Sequence, residues 1–461
     1  MLDLPRHIHL IGIGGIGVSG VARALIALGH TVSGSDVRES QLTLALRALG
    51  ARVTIGQHPD NLAGAELVVV STAIPETNPE LVAARERGLQ VRHRSELLGA
   101  IVASRPVSIG VIGTHGKGTV SSAITWILEV AGRDPSFVIG GLLDNFGKVN
   151  ARLCPSDTLV AEVDESDGSL KNVHPTLAVI NNLEADHLNY YEDLAHVQRT
   201  VVAALADNPR LERVFVNVDD PGAAAIIPSL RVPVTTFGRV LADRGADVEA
   251  RAAAADVHGG HFVLTHHGEA LGEVALPLAG LHNLDNATAA SAVALHLGVP
   301  PATIARALAD FRGLENRFTV VESAGRTIVK DYISHPTGIR RVLEAAKTGG
   351  RKTTAVFKPY RFTMVKYLLD DYAEAFHDAD HTIITELYPA GEVPIPGIDT
   401  EVLCARIRAR GPKVTFVPAM DDIVPLLLST IEPGEQVVFF GGDDLFQLAD
   451  RFARGLAERG A

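Results

Sequence analysis

Cysteine is scarce in this chain. Cys154 and Cys404 stand far apart and form neither a disulfide framework nor a metal-ligand spacing, which suits a reducing cytoplasm. No uncharged apolar run is long enough to span a bilayer, so no membrane insertion is expected. The weakly apolar residues 8–22 are broken by glycines at 12, 14, 15 and 17, which fit a phosphate turn better than a signal peptide, and nothing else marks export. Basic residues are in deficit, 42 against 54 acidic ones for a net charge of −12. That balance argues against nucleic acid or an anionic membrane as the main partner. Anionic ligands therefore have to be met by local basic or N–H-rich pockets. No repeat of fixed period is visible, and the oligomeric state stays open. What is present, 46% apolar and 21% charged residues over 461 positions, describes a globular chain of roughly two to four domains.

The chain is organised around residues 107–120, Val-Ser-Ile-Gly-Val-Ile-Gly-Thr-His-Gly-Lys-Gly-Thr-Val. An apolar strand is expected over 107–112, a glycine turn after it, and a helix over 121–131. Such a turn lets backbone N–H groups crowd round a phosphate, and the following helix N-terminus adds favourable partial charge. Gly113, Thr114, His115, Gly116, Lys117, Gly118 and Thr119 are thus the expected ATP loop, with Lys117 a point charge on the terminal phosphates. The spacing is tighter than G-x-x-x-x-G-K, and a turn of this kind also occurs as plain punctuation. The residue after the lysine is usually Ser or Thr, whose hydroxyl binds Mg²⁺. Here it is Gly118, with the hydroxyl one step later on Thr119. Either Thr119 substitutes or other ligands hold the metal.

Before this stretch, residues 7–11 read as a strand, followed by Gly12-Ile-Gly14-Gly15-Ile-Gly17, a helix to residue 28 and a strand over 31–33 running into Gly34-Ser-Asp36. This is the dinucleotide fingerprint, with an acid about twenty residues after the glycines. A nucleotide-sugar diphosphate offers the same two phosphates and a ribose, and a ligand-free βα turn is the plainer alternative. Strands over 67–70 and 89–92 and helices over 41–49 and 79–87 complete a small parallel-sheet unit that ends near the Ala103-Ser-Arg-Pro106 linker.

After the phosphate loop come a glycine loop at Gly140-Gly141 and a strand over 158–161 running into Glu162-Val-Asp164-Glu165-Ser-Asp167. A strand over 176–180 then runs into Asn181-Asn182-Leu-Glu184-Ala-Asp186-His187. Both acid runs stand at C-terminal strand ends, where open α/β sheets place ligands. Carboxylates with an imidazole are what one or two Mg²⁺ ions need; solvated loop acids are the alternative. Residues 247–277 alternate as a peripheral antiparallel patch, and Gly280-Leu-His282-Asn283-Leu-Asp-Asn286 opens a helix whose asparagines either cap it or read a base. Strands over 327–330, 353–357, 381–384, 413–416 and 436–440 form a further Rossmann-like series. The expected fold class is α/β in three domains. These are an N-terminal Rossmann-like unit (1–104), a central P-loop ATPase-like α/β unit carrying the antiparallel patch (105–314) and a C-terminal Rossmann-like unit (315–461).

Taken together, the glycine turn from Gly12, Ser71-Thr-Ala-Ile-Pro-Glu-Thr-Asn-Pro79, Gly113-Thr-His-Gly-Lys117, the runs from Glu162 and Glu184, His282-Asn283 with Asn286, and Tyr388-Pro-Ala-Gly-Glu392 resemble the Mur ligases, in collinear order over the whole chain. The resemblance implies peptidoglycan synthesis in the cytoplasm. ATP phosphorylates the lactyl carboxylate of UDP-N-acetylmuramate, the amine of an amino acid (L-alanine) attacks the acyl phosphate, and ADP and phosphate leave. It implies catalytic roles for Lys117, His187 and Arg361, Mg²⁺ on Glu162 and His187 with Thr119, nucleotide contacts from Asn286, Arg317 and Asp331, and UDP-sugar contacts from Gly12, Gly14, Gly15, Gly17, Asp36 and Ser71. It also implies closure of the third domain on the second. Besides Gly118, the chain departs from the family pattern at Asn316, Ser334, Lys358, Tyr360 and Met364. An L-alanine ligase, a ligase for another amino acid or muropeptide, and a non-catalytic UDP-sugar- or ATP-binding paralogue are the three readings compatible with these departures.

Overall fold

The computed structural model describes residues 4–166, 168–188, 190–239 and 245–460; Asp167, the last acid of its run, lies outside them. The described residues form three sheets, of five, ten and six strands.

The first sheet is parallel, in the order Arg52–Ile55, Thr31–Asp36, His7–Ile11, Leu67–Val70, Gln90–His93. Its central strands, His-Ile-His-Leu-Ile and Leu-Val-Val-Val, are nearly continuous apolar runs because helices cover both faces. The strand expected over 31–33 runs on to Asp36, since Gly34 and Ser35 pair with Leu10 and Ile11 instead of turning away.

In the second sheet the phosphate-loop strand Val107–Ile112 lies between Thr158–Glu162 and Leu177–Ile180. All three run parallel, so the glycine turn and both acid runs emerge at the same edge. Two expectations are corrected here and a third is met. Gly140 and Gly141 are not a loop but part of the strand Ser136–Leu143, whose register shifts between Val138 and Leu143. The helix after the phosphate loop, Lys117–Val130, begins at the lysine and not at residue 121, because Gly116 in the left-handed region (φ 76°) turns the chain directly into it. The antiparallel strands Val248–Asp256, Gly259–His266 and Glu269–Leu276 form the peripheral patch expected over 247–277, at the outer edge of this sheet. Phe237 pairs with Val248, and the sheet continues through them.

The third sheet runs Thr319–Ser323, Arg326–Asp331, Gln436–Phe440, Thr353–Phe357, His381–Ile384, Lys413–Phe416, parallel except for its first strand. Cys154 and Cys404 are both free thiols. Among the described residues no helix is long and apolar enough to cross a membrane.

The first and second sheets share one apolar core, in which Leu25 and Val102 pack with Val138, Leu159 and Val214. The closest approach is at Gly99 in the helix Arg94–Ala103, where an added Cβ would stand 1.9 Å from the carbonyl oxygen of Asn172. Backbone on both sides leaves nothing flexible to yield. Gly99→Ala is therefore expected to destabilise the chain by about 1–3 kcal/mol despite its better helix propensity, seen as an earlier thermal transition.

Candidate active site

The phosphate loop is clamped by the segment that follows Leu177–Ile180. Asn182 Oδ1 accepts the His115 N–H at 2.7 Å, and its carbonyl accepts the Thr114 N–H at 3.2 Å. Asn181 and Asn182 donate their side-chain amides to the His115 carbonyl at 3.0 and 2.9 Å. The Glu184 N–H in turn donates to Thr114 Oγ1 at 2.9 Å. The loop thus stands ready ahead of a helix N-terminus, the geometry that favours bound phosphate.

Lys117 Nζ donates to the Gly113 carbonyl at 2.6 Å and to Glu165 Oε1 at 2.9 Å. Burial works against its charge, but the carboxylates of Glu165, Asp164 and Glu162 outweigh this and push the ammonium up to about 12. Among the described residues, each of the three acids Glu162, Asp164 and Glu165 has its own partner. Glu165 holds Lys117, its carboxyl pushed upward by burial. Burial also disfavours the Asp164 carboxylate, but Lys117 and Arg94 overcome it and bring the group down to about 2. Asp164 lies 2.6 Å from Arg94, whose guanidinium lies beside Gly17 of the first glycine turn, so this ion pair joins the two glycine-rich turns. Glu162 Oε2 accepts the Gly140 N–H at 2.9 Å, and glycine here lets the carboxylate lie against the strand, since a Cβ would stand 2.9 Å from the same oxygen and displace it.

The Mg²⁺ ligands implied above are tested by their donor chemistry. Glu162 supplies a hard, oriented carboxylate, and His187, held at φ 53°, an imidazole on the same cleft. That set suits a hard cation whose remaining positions come from water and phosphate, and the backbone strain at His187 is of the kind stored at ligand sites. The direction facing Glu162 belongs to position 118, where a Cβ would lie 3.3 Å from Oε2 and 2.7 Å from Leu314 Cδ1. Thr119 lines the cleft about 100° round the helix from it. A second group of donors, on His115, Glu184 and His335, lies within 4.8 Å of one another. His335 Nδ1 accepts the Thr337 N–H at 3.4 Å, so the neutral ring carries its proton on Nε2 and has no free lone pair for a metal. Within this trio His115 Nε2 stands 3.6 Å from Glu184 Oε2, and neither His115 Nε2 nor His335 Nε2 has a hydrogen-bond partner among the described residues.

The third sheet closes the cleft, whose volume is about 400 Å³. Asp331 is buried, its Oδ2 accepting the Phe318 N–H at 2.9 Å while Oδ1 has no hydrogen-bond partner. Burial pushes this carboxyl up to about 6, with Arg317, 3.9 Å away, acting in the opposite direction. Arg361 opens a short helix with φ 64°, its guanidinium 5.2 Å from the Tyr360 ring centre, and Tyr360 stacks on Tyr388 at 5.9 Å. Asn286 is buried against the loop, bonded to Asn181 and Asn283.

Of the expected ATP loop, Thr114 to Thr119 line a single cleft with Glu162, His187, Asn286, Arg317, Asp331 and Arg361, while Gly113 does not line it. The expected UDP-sugar residues lie elsewhere. Asp36 accepts the Gly14 N–H at 2.8 Å, bracing the first turn, and the segment after Ser71 brings Ile74 against Gly12. Residue-by-residue reading missed Arg94, Glu184 as a contact to the third sheet, and Thr337. The acid next to a strand end signalled Glu184, but nothing in the sequence paired it with Thr337.

Comparison with known proteins agrees with this geometry. Residues 7–106 match the family described as "Mur ligase family, catalytic domain", 111–294 the "Mur ligase middle domain", and 316–442 the "Mur ligase, glutamate ligase domain". A UDP-N-acetylmuramate–L-alanine ligase of Geotalea uraniireducens is 40% identical, covering 98% of each chain, and one of Geobacter sp. is 39% identical, covering 96% of each. The solved UDP-N-acetylmuramate–alanine ligase of Thermotoga maritima superimposes with a TM-score of 0.81 at 25% identity, covering 98% of this chain and 99% of that one. A murein peptide ligase of Psychrobacter arcticus shares the fold, with a TM-score of 0.74 at 24% identity over 98% and 99% of the two chains. Three collinear units, a lysine-bearing phosphate loop between two acidic strand ends, and relatives aligned end to end place this chain in the Mur ligase family.

Proposed function

We propose that the chain is an ATP-dependent ligase joining L-alanine to the lactyl carboxylate of UDP-N-acetylmuramate in the cytoplasm. The observation that carries this reading is the convergence of Lys117, Glu162, His187 and the unsatisfied Asp331 Oδ1 on one cleft. Residues 1–104 would hold the UDP-sugar on the Gly12, Gly14, Gly15 and Gly17 turn. Residues 105–314 would hold ATP, and residues 315–461 would close over both.

The chemistry requires two anions, a carboxylate and a triphosphate, to meet. Lys117 would move from Glu165 to the terminal phosphates, exchanging one charged partner for another without losing its proton. The N–H groups of the loop orient the phosphates. Asp331 Oδ1 is an acceptor for nucleotide hydroxyls, and Arg317 offsets charge beside it. Glu162 and His187 would hold Mg²⁺, which supplies charge neutralisation on the transferring phosphoryl group. Arg361 faces the same cleft and would steady the acyl phosphate while the amine attacks.

A second acceptor amino acid is favoured by one observation: Tyr360 and Met364 line this cleft where the family pattern has smaller or charged groups. Phosphate release with purified UDP-N-acetylmuramate, ATP, Mg²⁺ and a panel of amino acids decides. L-alanine alone should support turnover. Turnover only with another amino acid replaces the acceptor, and silence throughout with UDP-sugar binding intact identifies a non-catalytic paralogue.

Asp331 adds a pH dependence. Its folded-state value of about 6 lies above the free carboxylate's, roughly 3.9, so the folded chain holds this proton more tightly than the unfolded one. Ionisation therefore costs stability as pH rises through that window, while the ionised acceptor accumulates only above it. kcat/KM for ATP should fall below about pH 6. In Asp331→Asn the activity is lower and this acid limb is gone.

A further inference from the structure

The helix Pro336–Lys347 of the third unit reaches the phosphate loop and the segment that clamps it with its N-terminal end. Its capping residue His335 and its second residue Thr337 face Glu184, on the segment that clamps the loop. Thr337 Oγ1 donates to Glu184 Oε2 at 2.6 Å. The backbone N–H of the same glutamate donates to Thr114 Oγ1 in the loop at 2.9 Å. His115, the next loop residue, places Nε2 3.6 Å from Glu184 Oε2, and its ring centre lies 4.6 Å from that of His335.

We infer that Thr337, Glu184 and the His115–His335 pair form a latch through which docking of the third unit sets the phosphate loop, with Glu184 and Thr337 as positioning residues for phosphoryl transfer. This rests on the ligase reading above only for its activity readout.

Glu184 touches the loop with its backbone and the third unit with its side chain, so neither can shift without the other. Its side chain keeps only 22% of its exposure, and the carboxylate stays ionised at about 2 because His115 and Thr337 outweigh the effect of burial. Docking of the third unit exchanges water on this carboxylate for the Thr337 hydroxyl, a hydrogen bond to a charged group. Asp331, with its unsatisfied Oδ1, and His335 are four positions apart on one continuous segment. A nucleotide that engages Asp331 therefore draws His335 and Thr337 towards Glu184. Thr114 and His115, which Glu184 steadies, lie between Gly113 and Gly116 in the expected phosphate loop. Docking and loop order thus become one event.

The test uses the full chain with Thr337→Val, which removes the hydroxyl at nearly constant volume, and Thr337→Ser, which keeps it. Thr337→Val should lower kcat about tenfold, the loss expected for one hydrogen bond to a charged group, and weaken binding of a non-hydrolysable ATP analogue with Mg²⁺ by a similar factor. KM for the UDP-sugar should not change. Thr337→Ser should keep kcat and analogue affinity near those of the parent chain, and the compaction seen by small-angle scattering on adding the analogue should survive in Thr337→Ser and shrink in Thr337→Val. The latch is overturned if Thr337→Val matches the parent chain in analogue affinity and compaction, or if Thr337→Ser fails as badly as Thr337→Val. Should the parent chain release no phosphate with any amino acid, the ligase reading fails while affinity and compaction still decide the latch.

Discussion

Lys117→Ala is expected to lower kcat for phosphate release by at least about a thousandfold, the scale on which a preorganised charge acts on phosphoryl transfer. The lysine is the one cation hydrogen-bonded within the loop, tied to the Gly113 carbonyl and to Glu165. Removing it leaves the carboxylates of Glu165, Asp164 and Glu162 facing an incoming triphosphate without it. Glu165, already pushed upward by burial, would then take up a proton. UDP-sugar affinity, measured by calorimetry, should stay near that of the parent chain. The first glycine turn is braced by Asp36 and adjoins Arg94, neither of which touches Lys117. Loss of UDP-sugar binding in this variant would contradict the division of labour between the two turns.

Glu162→Gln should have the next largest effect. The amide oxygen can still accept the Gly140 N–H, so the strand is kept while the negative charge is removed. The Mg²⁺ concentration for half-maximal activity is expected to rise at least about tenfold, with kcat at saturating Mg²⁺ down by about a hundredfold. Thr119→Val in the same titration separates two ways of replacing the hydroxyl missing at Gly118. Because Thr119 is turned away from the Glu162-facing direction, its effect should be far smaller. An equal shift for both variants would return Thr119 to the metal.

The phosphate loop was legible from an apolar run cut off by Gly113 and followed by Lys117, because strand, turn and helix start are each written in adjacent residues. Gly140 and Gly141 look like a loop because glycine is a poor strand former; in the structure the Glu162 carboxylate lies over Gly140 and the Leu314 side chain over Gly141. The antiparallel patch over 247–277 was legible from its alternation, and the pairing of Phe237 with Val248 is what joins it to the sheet edge.

By itself the sequence determined the three α/β units, the two glycine turns and the acids at strand ends, since these depend on neighbours a few positions apart. Tertiary structure alone decided who partners whom. Lys117 finds Glu165 across 48 positions, Arg94 finds Asp164 across 70, and Thr337 finds Glu184 across 153. Local patterning specifies which residues emerge at a strand end. The order of the strands, set by how the apolar faces bury one another, specifies which ends lie side by side.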